Sequence, residues 1–244
     1  MSSKTVIGFD LYGTLLSTES IAQQLAELFG DDLAKDLAVQ WRRYQLEYTW
    51  RANSMGIYQS FSDITRAALQ HAIAEKGLTL SGSDTEQLMN AYNGLQTFPE
   101  VEKALDLVAS EPSLDAYIFS NGTDDMVAKS VSTAPVLSKM SHILQPHKLI
   151  TVEELRRFKP DPKVYHHLAD KAGVDLDKIW VVSANPFDAL GARSVGAQSA
   201  WIDRAGNGWI DALGSLTGTK PTIVVRGVDE AVREIVSHVK GTKQ

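Results

Sequence analysis

No cysteine occurs anywhere in the 244 residues of this chain. Its absence removes disulfide frameworks, zinc-thiolate centres and thiol nucleophiles, and makes a reducing, cytoplasmic location the expectation. Basic residues are also in short supply: 24 lysines and arginines against 30 aspartates and glutamates give a net charge of -6. No basic stripe offsets that balance, so no nucleic-acid surface is expected and any anionic ligand must be held by a few placed cations. Long apolar runs are missing too. None approaches the roughly 18 residues of a membrane helix, and the first predicted strand begins too early to follow a signal peptide. What remains, 43% hydrophobic and 22% charged, is an ordinary globular composition with room for one or two domains.

Short apolar segments at 5–9, 116–119, 178–182, 200–202 and 222–225 read as five buried parallel strands. Helical spacing lies between them, as in Val101, Ala104, Leu105 and Val108, or Val164, Leu168 and Ala172. Pro162 and Pro186 stand where first helical positions are expected. This alternation predicts an α/β fold, a doubly wound parallel sheet of the Rossmann-like kind. From 17 to 96 no strand pattern appears, while Leu33, Leu37, Trp41, Tyr44, Tyr48 and then Ile64, Ala68, Ala72 keep helical periodicity. The expected organisation is therefore a core of residues 1–16 and 97–244 with a helical cap, 17–96, inserted after the first strand. Residues after Val239 read as a solvated tail.

Ligands of such sheets bind beyond the carboxyl ends of the strands. There the sequence offers Asp10 in "FDLYGTL", Ser120 and Asn121 in "FSNG", and Ser183 and Asn185 in "VVSANPFDALGA". Asp10 suits a nucleophile, since the Gly13-Thr14 turn can bring amides round toward its carboxylate; alone it reads equally as a turn cap. Lys159 in "FKPDP" is pushed to an extended conformation by the following proline, with Asp161 and Pro162 as helix cap and first position. Asp188 falls in the first turn of the next helix, where an acid complements the helix dipole. On the long helix of the insert, Arg43 and Arg51 each lie four residues from Glu47, whereas Arg42 has Ala38, Val39, Gln45 and Leu46 three or four residues away. Arg42 is thus a guanidinium without a charged neighbour on its helix, free to snorkel or to meet an anion.

"FDLYGTL", "WRRYQLEYTW", "SNG", "FKPDPKVY" and "VSANPFDALGAR" together resemble the haloacid dehalogenase superfamily, and within it the L-2-haloacid dehalogenases, over positions 6 to about 207. The resemblance implies hydrolysis of short 2-haloalkanoic acids to 2-hydroxy acids with inversion at C2, through an aspartyl ester on Asp10. It further implies that Ser120 and the backbone amides of Leu11 and Tyr12 hold the substrate carboxylate, while Arg42 and Asn121 accept the halide. Thr14, Lys159, Ser183 and Asn185 would arrange Asp10, Tyr165 would orient Lys159, and Asp188 would activate or position the hydrolytic water. Tyr12, Leu46, Phe61 and Phe187 would form the apolar wall. Arg43 and Phe187 replace a glutamine and a tryptophan of the better-known bacterial pattern. A homodimer is expected on the same ground.

The superfamily is mostly phosphatases, so the chemistry must choose. A phosphate ester leaves as a basic alkoxide, and those relatives carry an acid two residues after the nucleophile to protonate it. Here that position is Tyr12. A halide is a very weak base and needs no proton. Mg²⁺ wants carboxylate ligands, yet Ala184-Asn185 stand where the phosphatase pattern puts an acid, so neither metal nor other cofactor is expected. A Mg²⁺-dependent phosphatase and a non-catalytic binding protein on the same fold are the alternatives.

Overall fold

The computed structural model describes residues 4–92 and 94–241. Six parallel strands form one sheet: β1 (Thr5–Phe9), β2 (Leu114–Ser120), β3 (Leu149–Thr151), β4 (Ile179–Ser183), β5 (Gln198–Ile202) and β6 (Ile223–Val225), in the order β3-β2-β1-β4-β5-β6. The five-strand expectation is corrected here. Strand β3, three residues pairing with β2 from Ile118 to Ser120, is too short to leave a periodic signal. Strand β6 is also not a buried strand: it lies at the sheet edge, and Val224 is 42% exposed.

Four helices follow β1 without an intervening strand: α1 (Glu19–Phe29), α2 (Asp31–Met55), α3 (Phe61–Glu75) and α4 (Gly82–Ala91). The rest alternate with strands: α5 (Val101–Ser110), α6 (Asp124–Thr133), α7 (Pro135–Lys139), α8 (Pro162–Ala172), α9 (Pro186–Ser194), α10 (Ala212–Thr217) and α11 (Val228–Gly241). Helix α11 carries the chain on through Gly241, so Lys240 and Gly241 belong to it rather than to a tail; the last three residues lie outside the described part. None of the described helices is long and apolar enough to cross a membrane.

Side-chain chemistry explains the elements. Val101, Ala104, Leu105 and Val108 are all buried on one face of α5, each large side chain contributing about 1.5–3 kcal/mol on leaving water. Asp161 caps α8 by accepting from Lys163 N at 2.9 Å, with Pro162 at the first position. In the insert, Trp41 is buried and donates to the Thr65 carbonyl at 2.8 Å, locking α2 on α3. Arg51 pairs with Glu47 as the spacing predicts, whereas Arg43 makes no ion pair among the described residues.

The two connections between insert and sheet run side by side. Ser17 N donates to Gln96 O at 2.7 Å and Phe98 N to Leu15 O at 3.0 Å. Strand β1 lies at mid-sheet with β2 and β4 on either side, so the chain reverses its winding direction there. The crevice of a doubly wound sheet opens at such a point, and Asp10 stands at its lip.

Candidate active site

Asp10 follows β1 directly, and its N–H continues the ladder to Val182 O at 3.0 Å. The chain then folds back on itself. The Leu11 carbonyl accepts from the N–H groups of Thr14, Leu15 and Leu16 at 3.3, 3.0 and 2.9 Å, a turn made possible by Gly13 at φ +86°. The N–H groups of Leu11 and Tyr12 donate to no acceptor among the described residues. Arg204 braces the loop from outside: it donates to Gly13 O at 3.2 Å and Thr14 O at 2.7 Å, pairs with Glu100 at 2.7 Å and lies 3.5 Å over the Phe98 ring. Sequence reasoning overlooked Arg204, although it stands in the "WIDRAGN" stretch where the resemblance ends.

The two oxygens of Asp10 differ sharply. Oδ2 accepts from Thr14 Oγ1 at 2.8 Å, Asn185 Nδ2 at 2.8 Å and Ser183 Oγ at 3.4 Å. Among the described residues Oδ1 has one partner, Lys159 Nζ at 3.3 Å. One oxygen is therefore fixed and the other left with lone pairs to use. Sequence reasoning predicted all four of these partners, and the fold brings them together from β1, β4 and the loop before α8.

Lys159 is 1% exposed, far from the usual fate of a lysine. Its three ammonium hydrogens are spent on Phe119 O at 2.7 Å, Asp188 Oδ2 at 2.8 Å and Asp10 Oδ1. Its backbone N–H donates to Asn121 Oδ1 at 2.9 Å. Asp188 is wholly enclosed, with Oδ1 accepting from the Tyr165 hydroxyl at 2.9 Å. Burial holds the Asp188 carboxyl above its ordinary range, and burial followed by the Asp188 charge pushes the Tyr165 hydroxyl well up. Gly191 on α9 makes this approach possible, because a Cβ there would come within 2.2 Å of the Tyr165 oxygen.

Two expectations change accordingly. Tyr165 makes no hydrogen bond to Lys159 among the described residues; it reaches the lysine through Asp188. Asp188 has both oxygens taken and no face open to water, so the geometry gives it the holding of Lys159 instead of a water molecule. Divalent metal chemistry does not fit either. The Lys159 ammonium already stands between the two carboxylates, and the described residues hold no cluster of three or more acids or histidines placed for a metal.

Arg42 has polar partners although no helical neighbour of it is charged. It donates to Gln45 Oε1 at 2.5 Å, one turn along α2, and to Tyr12 O at 3.2 Å, but makes no ion pair among the described residues. Gln45 is fully buried and holds that orientation through Thr65 Oγ1 at 2.6 Å and Tyr92 OH at 3.0 Å. Tyr12 is buried, stacked on Phe61 at 6.2 Å, with its hydroxyl 3.2 Å from Ser130 Oγ and its pKa pushed well up by that burial. Ser120 is fully buried; its Oγ accepts from Gly122 N at 3.0 Å and donates to no described residue. Asn121 Nδ2 likewise has no acceptor among them.

Of the expected wall, Tyr12 and Phe61 meet, and Leu46 lies half-buried one turn beyond Arg42. Phe187 is elsewhere: it packs edge-on against Trp50 at 5.3 Å and lines a separate cleft of about 500 Å³ with Pro160 and Leu213. It follows Pro186 at the start of α9 and meets α2 through Trp50.

Known proteins resemble this chain in sequence and in fold. A family model described as haloacid dehalogenase-like hydrolase matches residues 4–196. The (S)-2-haloacid dehalogenase of Pseudomonas fluorescens is 34% identical over 232 residues, covering 94% of this chain and 95% of that one. The L-2-haloacid dehalogenase of Xanthobacter autotrophicus superposes with a TM-score of 0.82 at 28% identity, covering 95% and 98% of the two chains. The same enzyme with chloropropionic acid covalently bound gives a TM-score of 0.81 at 27% identity, with the same coverage. Matched over most of its length in sequence and in fold, this chain belongs to the haloacid dehalogenase-like hydrolases.

Proposed function

We propose that the protein hydrolyses short 2-haloalkanoic acids to 2-hydroxy acids with inversion at C2, through an ester on Asp10. The observation that carries the reading is the asymmetry of Asp10: among the described residues, three donors meet Oδ2 and only Lys159 meets Oδ1. Oδ1 attacks C2 from the side opposite the carbon–halogen bond, and the halide leaves with the bonding pair. In the ester Oδ1 becomes the bridging oxygen and Oδ2 the carbonyl oxygen. Water then adds at the aspartyl carbonyl carbon, and negative charge develops on Oδ2, where Thr14, Asn185 and Ser183 already point their hydrogens. Donors preorganised in this way stabilise such an oxyanion by about 3–4 kcal/mol each where one has been removed in other enzymes. Collapse of this adduct breaks the bond from that carbon to Oδ1, so the 2-hydroxy acid leaves with Oδ1 as its hydroxyl oxygen, one proton of the water going to that hydroxyl and the other to solvent.

The unpaired N–H groups of Leu11 and Tyr12, with the Ser120 hydroxyl, bind the substrate carboxylate. Arg42 and the free Asn121 amide take the halide, and Tyr12 with Phe61 and Leu46 supply the apolar wall. Lys159 sets a positive charge beside Asp10, and Asp188 with Tyr165 keeps Lys159 in place. The relative with a covalently bound chloropropionic acid supports the ester route, as do the relatives named for (S)-2-haloacids. Tyr12 disfavours phosphate ester cleavage: its hydroxyl is tied to Ser130, and burial makes it a still weaker acid where a phosphatase needs a proton donor. The division into core 1–16 with 97–244 and cap 17–96 is part of this reading, supported by the paired crossings at Ser17 and Phe98. So are residence in the cytoplasm and a homodimer formed through the insert, whose Val39, Met55 and Ile57 stand exposed. Sedimentation checks the last.

Halide release from L-2-chloropropionate is expected to continue undiminished in excess EDTA. An ion-selective electrode follows it directly. Activity that EDTA removes and Mg²⁺ restores, or turnover of phosphate esters instead, would transfer the protein to the phosphatase branch.

A further inference from the structure

One side chain joins the insert to the loop that carries Lys159. Asn53, in the last turn of α2, donates from Nδ2 to Phe158 O at 2.6 Å and accepts at Oδ1 from Phe158 N at 3.0 Å. A primary amide that serves both backbone groups of one residue acts like a neighbouring strand, fixing orientation as well as distance. Arg157 Nη1 adds a bond to Asn53 O at 3.3 Å. The Phe158 ring is fully buried, stacked on Tyr58 at 5.4 Å and tilted to Phe61 at 6.2 Å. The next residue is Lys159.

Helix geometry gives this contact its consequence. At 3.6 residues per turn, positions 42 and 53 fall about three turns apart on nearly the same face of α2. At one end of that face Arg42 reaches Tyr12 O beside Asp10; at the other Asn53 grips the residue before Lys159. Helix α2 is therefore fastened to the sheet at both ends of one stripe. We infer that Asn53 is a positioning residue that sets the register of α2, and with it Arg42, against Lys159 and Asp10; this rests on the dehalogenase reading given above.

Loss of Asn53 leaves the Phe158 N–H without its partner, leaves the Phe158 carbonyl only the bond from Asp161 N at 3.0 Å, and lets the helix end shift. Displacement of a catalytic group by about 1 Å costs on the order of 100-fold in rate. The loss falls on halide departure, because Arg42 is the group that moves. Chloride, the poorer leaving group, depends more on that cation than bromide does.

The test compares L-2-chloropropionate with L-2-bromopropionate on Asn53→Ala and Asn53→Asp. The aspartate variant is nearly isosteric and keeps the acceptor for Phe158 N, but sets an oxygen against Phe158 O. Both variants should lose roughly 10- to 100-fold in kcat/KM for the chloro acid. The loss for the bromo acid should be smaller, so the bromo-to-chloro ratio rises at least about threefold. That ratio does not depend on how much of the enzyme is folded, and if the alanine variant does not fold the aspartate variant supplies it. Rates like those of the wild type, or equal losses on both substrates, would overturn the inference. A wild-type enzyme that releases neither halide would instead remove the dehalogenase reading itself.

Discussion

Asp10→Asn abolishes turnover, lowering kcat by on the order of 10⁴-fold or more, as loss of a covalent nucleophile does. The amide is neutral, and the lone pair of its nitrogen is delocalised into the carbonyl, so no atom at that place can displace a halide. The fold should survive. The amide oxygen can still accept from Thr14, Asn185 and Ser183, the three donors now on Oδ2. What changes locally is that an N–H faces Lys159 Nζ. Halide release in excess substrate, with circular dichroism on the same preparation, separates loss of chemistry from loss of structure. Substantial residual turnover in a folded variant would take Asp10 out of the nucleophile role.

Lys159→Met loses activity and stability together, for a different physical reason. The methionine fills much of the same space, but Asp188, which is wholly buried, and Asp10, which is nearly so, lose their shared cation. Removing one partner of a buried ion pair costs about 3–5 kcal/mol, because a charge is left buried and unpaired. The pH dependence carries a clear sign. Burial already holds the Asp188 carboxyl above its ordinary value, and without Lys159 it moves further up. Between the unfolded-state value of about 3.9 and that raised native value the native state binds more protons than the unfolded chain. Stability of the variant therefore falls as pH rises through this window and is greatest on its acid side. Adding Asp188→Asn should recover most of the lost stability while leaving the enzyme inactive. Urea unfolding of the two variants across pH measures this, and a double variant no more stable than Lys159→Met would contradict it.

How much of this was legible in the sequence depends on how far apart in the chain the interacting groups lie. Strand ends that carry polar residues after buried runs announced themselves, and Asp10, Ser120, Asn121, Ser183 and Asn185 meet where a doubly wound sheet places them. The helical insert showed in its periodicity. Strand β3 did not, since three residues cannot display a period, and β6 is an edge strand whose middle residue faces solvent. Lys159 could be placed on its loop but not buried there, because its burial depends on Asp188 and Asp10 arriving from two other strands. For the same reason Asp188 stands between Tyr165 and Lys159, where a direct contact of Tyr165 with the lysine was expected: which of three neighbours touches which is a tertiary fact. Asn53 and Phe158 are 105 residues apart and carry no local pattern at all. Phe187 was assigned to the pocket by its place in a motif, whereas its ring turns toward Trp50.

The central claim, that Asp10 forms an ester and that water resolves it at the aspartyl carbonyl, has a direct test in a single turnover. Enzyme in excess over L-2-chloropropionate is allowed to react once in ¹⁸O-labelled water, and both product and protein are analysed by mass spectrometry. The ester route predicts an unlabelled 2-hydroxy acid, its oxygen taken from Oδ1 of Asp10, and a heavier peptide containing Asp10. Label in the hydroxyl of the product, with the Asp10 peptide unchanged, would mean that water attacks C2 itself and would contradict the account.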